Sequence, residues 1–354
     1  MNSPSFNTSI ELAQFQNIVV FDTGSLADVV ESLPAVKALR QHFSRSTLTI
    51  VAGAVQGEVL KFAECADKII VQDHYELVKG DKVTAGWNLI SAGARLGVGK
   101  YDLAIDLNEF SESGVLAWLS RATSRIGVRH QSKLAKWLFN IRNPRVSRPR
   151  RKVDQYAEAI EAIGVQVIDR NIRLPIAGKF DTAIQKRLKR SPWNPGELLI
   201  GLYPETSGTQ SAWPASRFAE VAGLLVNHYN ARIALVGEAK NSPVIKDVAA
   251  KLRNEYQHEV VMLAGIPVAE RIAGLACCTL MVTAEAGWAR LSAAVDTPTV
   301  LLTDTRDEHL DPDSAGQRHH FLYQPQLEAI STDQVFDVIC GMLRTSRTGA
   351  LFNR

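Results

Sequence analysis

Short apolar runs alternate with segments of helical periodicity along the chain. In the first half the apolar runs predict four strands, at 18–21, 48–52, 68–71 and 101–107. Apolar residues recur at helical spacing between and after them, for example in 29–43 and 115–119. Strands that alternate with helices indicate βαβ units and a parallel sheet.

The second half repeats this alternation after the segment 191–197, in which two prolines and a glycine have the chemistry of a linker. We place the domain boundary there, so that the expected domains are 1–190 and 191–354. Strands are predicted at 198–202, 232–236, 260–263, 279–282 and 299–302. Helices are predicted at 216–227, 244–253, 268–276, 288–295 and 333–343. The predicted fold class is α/β, with two doubly wound halves.

The loop after the first of these strands has the composition of an anion site. The apolar run 198–203 breaks at Pro204 into small and hydroxyl residues that include Thr206 and Ser207. In an open α/β sheet such a loop lies at the carboxyl end of its strand, where backbone N–H groups and hydroxyls hold anions such as a nucleotide diphosphate. An ordinary βα loop with Pro214 in the first helical turn explains the same pattern.

Composition narrows the class of protein. The chain has 354 residues, 46% hydrophobic and 22% charged, which fits a soluble globular protein of two domains. A net charge of +3 argues against a general polyanion binder. The four cysteines lack metal-ligand spacing, so a reduced, cytoplasmic compartment is expected. The first basic residue is Lys37 and no long apolar run precedes it, so we expect neither a secretory signal nor a spanning helix, and any membrane contact is expected to be peripheral.

One long segment, 113–153, contains no Asp or Glu. Its basic residues are interleaved with apolar ones such as Trp137 and Phe139, a combination that suits anionic lipid headgroups or phosphorylated sugars. Nucleic acid is a weaker alternative because no recognised binding motif is present. A solvated loop beside a partly buried helix explains the segment equally well. The basic residues are Arg121, Arg125, Arg129, Lys133, Lys136, Arg142, Arg145, Arg148, Arg150, Arg151 and Lys152.

Five short segments occur in an order and spacing that resemble the heptosyltransferase family, and together they span nearly the whole chain. The resemblance implies a GT-B fold, with two Rossmann-like domains facing a central cleft. It also implies transfer of a heptose from ADP-heptose to the lipopolysaccharide inner core. The segments are 24–28 with 33–35, 101–107 with 125–127, 213–214 with 217–218, 263–265, and 284–298.

In the first domain the family's general base falls on Asp28. A carboxylate at a helix N-terminus stays ionised at neutral pH, which suits a base. The spacing of Ser25 and Asp28 is also that of a capping box, which is a structural alternative. Glu31 stands where the family has a histidine. Ser25 and Glu31, with Arg125 and Arg129, are the expected acceptor-binding residues.

In the second domain the resemblance makes Thr206 and Ser207 ligands of the diphosphate. Ile266 matches a position that lines the adenine, although it could be a core residue. Glu238, at a strand end, is expected to hold a ribose hydroxyl, while the family's acidic residue aligns nearer Asn241.

The donor-site segment 284–290 departs most from the family pattern Asp-Ser/Thr-Gly-x-x-His. Glu285 replaces the aspartate, Ala286 the hydroxyl residue and Arg290 the histidine, whereas Gly287 is kept. We expect all four to contact the donor. The family's lysine before the Trp-Pro pair is Ser211 here, and a hydroxyl cannot replace that point charge. Arg290, about one turn into the predicted helix, would supply the missing positive charge.

The sequence therefore predicts an inverting, metal-independent glycosyltransferase that uses a nucleotide sugar and no further cofactor. Its expected partner is an anionic, lipid-linked glycan acceptor, reached from the cytoplasm, at the inner face of the inner membrane. Nucleic acid is not expected. The alternative is a non-catalytic sugar-nucleotide or glycan-binding protein of the same fold, which the changes at 211, 286 and 290 permit.

Overall fold

The structure is a computed structural model that describes residues 15–97, 100–108, 110–128, 135–141, 151–176, 179–191, 193–194, 196–206, 212–305 and 318–347. The chain divides into two compact units, Met1–Ile172 and Arg173–Arg354. This division lies upstream of the boundary expected at 190/191. The helix Lys179–Leu188 packs within the second unit, where Arg187 pairs with Glu270 at 3.0 Å.

The first unit is a parallel sheet with helices on its strand connections, and the described strands have the order β3-β2-β1-β4-β5. The strands are β1 (Asn17–Phe21), β2 (Thr47–Ala52), β3 (Lys68–Val71), β4 (Leu103–Asp106) and β5 (Ser124–Gly127). The helices are α1 (Leu26–His42), α2 (Ala54–Phe62), α3 (His74–Val78), α4 (Lys82–Leu96), α5 (Ser111–Leu119), α6 (Ala135–Leu138) and α7 (Lys152–Glu161).

The second unit has a parallel sheet whose described strands have the order β11-β10-β9-β6-β7-β8. The strands are β6 (Leu199–Tyr203), β7 (Arg232–Leu235), β8 (Val261–Met262), β9 (Leu280–Thr283), β10 (Thr299–Thr303) and β11 (His319–Tyr323). The helices are α8 (Lys179–Leu188), α9 (Ala215–Tyr229), α10 (Pro243–Tyr256), α11 (Val268–Cys277), α12 (Ala286–Ala294) and α13 (Thr332–Arg347). Among the described helices, none combines the length and apolarity needed to cross a bilayer.

The α/β prediction is confirmed, and every predicted strand is present with ends that differ by at most two residues. Two strands were missed, β5 and β11. Both lie at a sheet edge, and both carry polar residues that interrupt the apolar run, Arg125 in β5 and the pair His319 and His320 in β11. Edge strands need fewer apolar residues because one side of the strand has no neighbour to pack against.

Both sheets reverse their strand order beside the first strand of the unit. In the first sheet β1 lies between β2 and β4, and in the second β6 lies between β7 and β9. The chain therefore leaves these neighbouring strands in opposite directions. A crevice opens at the carboxyl ends of such strands, and ligands of open α/β sheets bind there. In this chain those ends are the loops after β1 and β4, and after β6 and β9.

Two glycines offer a matched test of local packing. Gly265 has a φ of +72°, and a Cβ there would lie 2.8 Å from the backbone nitrogen of Lys240. Gly86 lies inside α4 with no atom within 4 Å of a Cβ. We expect Gly265→Ala to lower the free energy of unfolding by about 1–3 kcal/mol because the backbone conformation and the contact are both strained. Gly86→Ala should raise it by about 0.5–1 kcal/mol. Urea unfolding measures both, and equal midpoints for the two variants would contradict this account.

Candidate functional site

Asp28 lies in the first turn of α1, directly after the β1 loop. Ser25 caps the helix, since its hydroxyl accepts from the Asp28 N–H at 3.2 Å. The Asp28 carboxylate accepts in turn from the Ser25 N–H at 2.9 Å and from its hydroxyl at 2.7 Å. The other carboxylate oxygen accepts a hydrogen bond from the ammonium of Lys152, and the Tyr156 hydroxyl lies 3.5 Å from it. The capping box and the ion pair thus share one carboxylate.

These contacts set the charge of Asp28. Partial burial favours the neutral acid and by itself raises the pKa of Asp28. Hydrogen bonds from Lys152 and Ser25, with the positive charge of Lys152, outweigh burial and hold the pKa below its usual value. Asp28 is therefore ionised at neutral pH and keeps some access to solvent, with 17% of its side chain exposed. An ionised carboxylate is in the protonation state that a general base requires.

Two buried carboxyl groups lie at the carboxyl ends of β1 and β4, at the same crevice: Asp22 directly follows β1, and Asp106 is the last residue of β4. Asp22 is bonded by the Ser32 hydroxyl at 2.6 Å, and its Oδ1 is buried without a hydrogen-bond partner. Asp106 accepts from the Asn108 backbone at 3.0 Å and from the Ser113 hydroxyl at 3.0 Å. Burial, and the proximity of a neighbouring carboxylate, raise the pKa of each carboxyl group to about 7. Near neutral pH each group is thus partly protonated and can donate or accept a hydrogen bond.

The expected acceptor-binding residues have different surroundings. Ser25 is exposed and Glu31 is buried one turn after Asp28. Arg125 lies on β5, where its guanidinium donates to the carbonyls of Leu138 at 2.8 Å and Ala122 at 2.6 Å. These bonds attach α6 to the sheet, so that Arg125 has a structural role whatever it binds. Arg129 lies outside the described residues.

In the second unit Glu285 occupies the N-cap of α12, directly after β9. Its carboxylate accepts from the backbone N–H of Trp288 at 2.8 Å, and its own N–H donates to the Thr283 hydroxyl at 3.0 Å. The N–H groups of Ala286 and Gly287, in the first turn, lack an intrahelical acceptor by their position. Glu285 thus fixes the start of a helix whose positive dipole end lies at the β6–β9 crevice.

A stacked cluster stands beside this helix start. The ring of Tyr203, the last residue of β6, stacks on Trp288 with 5.0 Å between centroids. The Arg271 guanidinium lies 5.0 Å from the same indole, in the range of a cation–π contact. Arg271 is buried, pairs with Glu238 at 2.9 Å and leaves its Nε without a hydrogen-bond partner. The cluster holds a buried cation at the end of the β6 strand.

Carboxylates surround the phenol of this cluster. Glu238 lies 3.4 Å from the Tyr203 hydroxyl, and its N–H donates to Glu205 at 2.6 Å. Burial first, and then the negative charges of Glu238, Glu285 and Glu205, raise the pKa of Tyr203 far above its usual value. Tyr203 therefore stays protonated and acts only as a neutral hydrogen-bonding group. Glu238 is 43% exposed, so it remains accessible to a ligand hydroxyl.

The remaining donor-site predictions lie at the same edge of the second sheet. Thr206 and Ile266 are half-buried in the loops after β6 and β8, and Arg290 is half-buried on α12. Ser207 lies outside the described residues, as does Ser211. The close approach of Gly265 to Lys240 brings the β8 loop against the loop after β7. Six of the predicted donor-site residues therefore lie just after the carboxyl ends of strands of one sheet. They are Thr206, Glu238, Ile266, Glu285, Ala286 and Gly287.

Sequence reasoning missed several members of both sites. Lys152 was assigned only to a basic segment, and Tyr156, Tyr203, Arg271 and Trp288 were given no role. Lys152 and Tyr156 are far from Asp28 in the chain, and only the packing of α7 on α1 brings them together. Within the described residues, no cluster of three or more His, Cys, Asp or Glu side chains has the arrangement of a metal site.

Two parallel α/β sheets of this topology, each with its candidate site at the carboxyl ends of its strands, are typical of the GT-B fold. The profile of glycosyltransferase family 9 (heptosyltransferase) matches residues 89–334. The chain belongs to this family and is a glycosyltransferase. The family assignment favours the transferase over the non-catalytic binding protein.

Known relatives agree with this assignment. The chain is 26% identical to lipooligosaccharide heptosyltransferase 2 of Haemophilus influenzae over 240 residues. This alignment covers 64% of this chain and 68% of the relative. The family 9 glycosyltransferase of Veillonella parvula has a similar fold, with a TM-score of 0.74 and 20% identity over 96% of this chain and 99% of that one. The structure of E. coli heptosyltransferase WaaC with ADP-2-deoxy-2-fluoro heptose is also similar, with a TM-score of 0.70 and 19% identity. The match covers 92% of this chain and 99% of that one.

The buried carboxyl groups predict how stability depends on pH. The pKa of Asp22 is raised to about 7 in the folded protein, so the folded state binds more protons than the unfolded state between its unfolded pKa and about 7. Stability therefore falls as the pH rises through this window. Asp22→Asn removes the titration but keeps the shape, so its melting temperature should fall less than that of the wild type between pH 5 and about 8. Gly86→Ala is the control, because a Cβ at that position meets no other atom within 4 Å and both buried carboxyl groups stay intact. Parallel melting curves for Asp22→Asn and wild type would contradict the assignment.

Proposed function

We propose that this glycosyltransferase moves a heptose, or a related sugar, from an ADP-activated donor to a lipopolysaccharide-core or other anionic glycan acceptor. The reaction inverts the anomeric centre and uses no metal ion. Support comes from the family assignment, from the heptosyltransferase named for the H. influenzae relative, and from the ADP-heptose analogue in the WaaC structure.

The observation that carries the proposal is the state of Asp28. It is the ionised carboxylate at the β1–β4 crevice, partly accessible and held by Ser25 and Lys152. Asp22 and Asp106, by contrast, are almost fully buried, and burial raises the pKa of each carboxyl group to about 7. Asp28 is thus the better placed of the three to take a proton from a bound hydroxyl.

The proposed step is a single displacement. Asp28 accepts the proton of an acceptor hydroxyl. At the same time the oxygen of that hydroxyl forms a bond to the anomeric carbon of the donor sugar. The bond from that carbon to the diphosphate oxygen breaks on the opposite face, and ADP leaves with the electron pair. The ammonium of Lys152 is half-exposed and lies beside the carboxylate, so a phosphate or carboxylate of the acceptor can bind it. An anionic acceptor would then draw Lys152 away from Asp28 and make the carboxylate more basic.

The second unit supplies the means to stabilise the leaving group. The N–H groups of Ala286 and Gly287 and the dipole of α12 favour a diphosphate at the helix start. Thr206 and Ser207 add hydroxyl donors, and Arg290 adds positive charge in place of the lysine lost at Ser211. Ile266 offers an apolar surface to the adenine, and Glu238 an acceptor for a ribose hydroxyl. We place the reaction in the cytoplasm, at the inner face of the inner membrane, where a lipid-linked acceptor is available.

Removal of the carboxylate tests the base. Asp28→Asn keeps the side-chain volume but cannot accept the proton, so kcat should fall by about 10²–10⁴-fold. The affinity for ADP, measured by calorimetry, should be unchanged because the donor binds the other unit. Turnover is followed as ADP release with ADP-heptose and a delipidated core acceptor, in the presence of EDTA.

Asp81→Asn is the matched control, since Asp81 also caps a helix, accepting from the Thr84 N–H at 2.8 Å. It should keep its activity, and because asparagine caps a helix about as well as aspartate, its stability should change little. Equal losses of kcat in both variants would assign the effect of Asp28 to helix capping alone. Loss of wild-type turnover in EDTA would refute the metal-independent mechanism.

The role of Arg290 has a separate test. Arg290→Ala should weaken ADP and ADP-heptose binding by about tenfold or more, because a charge-assisted hydrogen bond to phosphate is lost. Arg290→Lys should recover part of the affinity. Arg253→Ala, which removes an exposed arginine of α10, is the control and should bind as the wild type does. Unchanged affinity for ADP in Arg290→Ala would show that Arg290 does not compensate for Ser211.

A further inference from the structure

Exposed apolar side chains are distributed unequally between the two units. Among the described residues, the ten large hydrophobic side chains that stand exposed all belong to the first unit. A soluble domain exposes single apolar residues routinely, but a concentration on one unit marks an interaction surface. The ten residues are Val71, Tyr75, Val78, Val83, Trp87, Ile90, Phe110, Trp118, Trp137 and Ile168.

The helix α4 contributes the central part of this exposed apolar surface. Val83, Trp87 and Ile90 are spaced by four and three residues, so they form one stripe along the helix, and they are 68%, 67% and 55% exposed. Ala92 and Leu96 on the same helix are buried and already face the sheet. The apolar stripe is therefore additional to the face that the fold uses.

The neighbouring helices extend the stripe. α4 packs against α3 and α5, and α5 packs against α6, whereas α1 packs with α2 and α7. Right-handed crossovers put α1 and α2 on one face of the sheet and α4 and α5 on the other. α3 exposes Tyr75 and Val78, and the layer also exposes Trp118 on α5 and Trp137 on α6. We call this layer, α3 to α6, the aromatic layer.

Charge on the aromatic layer favours an anionic partner. α4 contains no Asp or Glu and has Lys82 in its first turn and Arg95 in its last. Two of the nearby acids are engaged locally, since Glu76 pairs with Lys79 at 3.5 Å and Asp81 caps α4. Arg121, which follows α5, is a further exposed basic residue, and α5 itself contains one acidic residue, Glu112, in its first turn.

We infer that the aromatic layer docks on an anionic bilayer surface, with Val83, Trp87 and Ile90 entering the headgroup region. Three of the six tryptophans of the chain are exposed on this layer, and tryptophan concentrates at membrane interfaces because its ring is apolar and its N–H is polar. Lysine and arginine beside the stripe keep their charges in the headgroup layer. The inference deepens the proposed function and rests on it in one respect, the presence of a lipid-linked acceptor at the membrane.

A second copy of the chain fits this surface less well. In a two-fold dimer the same patch meets itself, so that the basic residues of each copy would oppose those of the other. Desolvating like charges in this way costs free energy, whereas an anionic lipid surface gains from them. The basic residues of the aromatic layer thus favour an anionic bilayer over a second copy of the chain as its partner.

Vesicle flotation tests the inference without any enzymatic readout. The full chain is mixed with vesicles of phosphatidylcholine alone or with about one-third phosphatidylglycerol. We expect binding to the anionic vesicles, weakened by high salt. The double variant Val83→Ser/Trp87→Ser should reduce the partition coefficient by about tenfold or more, since two apolar side chains no longer enter the interface. Ile168→Ser, at a still more exposed apolar residue outside the aromatic layer, is the control and should bind as the wild type does.

The outcomes separate this inference from the proposed function. If the double variant keeps wild-type turnover on a delipidated acceptor but loses it on an acceptor embedded in anionic vesicles, both stand. Vesicle binding without any transferase activity would support the docking surface and refute the proposed function. Equal binding by the wild type and the double variant, or no binding by either, would overturn the docking surface. A wild-type dimer in light scattering that the double variant loses would assign the layer to a second copy instead.

Discussion

Parallel pairing on both sides of one strand is the constraint on which both sites depend. β1 is hydrogen-bonded to β2 and β4, and β6 to β7 and β9, all in parallel. Parallel neighbours need crossover helices, and the reversal of strand order makes the loops at the carboxyl ends diverge. The starts of α1 and α12 consequently lie at the carboxyl edge of each sheet, beside the strand where the order reverses. The chemistry of each unit lies in the few residues that follow its strands.

Helix capping and ligand chemistry, which the sequence presents as alternatives, occur together in this structure. Asp28 completes a capping box and is also held by Lys152, and both interactions favour its charged form. Glu285 caps α12 while it helps to keep the Tyr203 phenol protonated. A cap costs the carboxylate only part of its hydrogen-bonding capacity, since each carboxylate has about four acceptor sites. Asp28, with 17% of its side chain exposed, keeps part of that capacity accessible to a substrate.

The limits of sequence reasoning follow from the range of the interactions concerned. Buried strands such as β1 and β6 were predictable because their apolar runs are continuous, and Asp28 was found because it follows such a run within a family motif. The partner Lys152 was not, because a contact between α1 and α7 leaves no local pattern. Arg271 was missed for the same reason: it lies on a helix whose apolar periodicity hides it, and only the fold places it against Trp288 and Glu238.

The two units share a topology but use their large aromatic residues in opposite ways. In the second unit Trp213 and Trp288 are buried, one bonded to the Ile330 carbonyl and the other stacked on Tyr203 beside α12. In the first unit Trp87 and Trp118 project from the helix layer into solvent. A donor site with a fixed shape benefits from rings locked in a packed core, because rigid groups need no reorganisation when charge develops. Rings left exposed contribute nothing to the core and retain their apolar surface for a partner. The same fold thus holds packed rings beside the proposed donor site of one unit and leaves exposed rings on the proposed docking surface of the other.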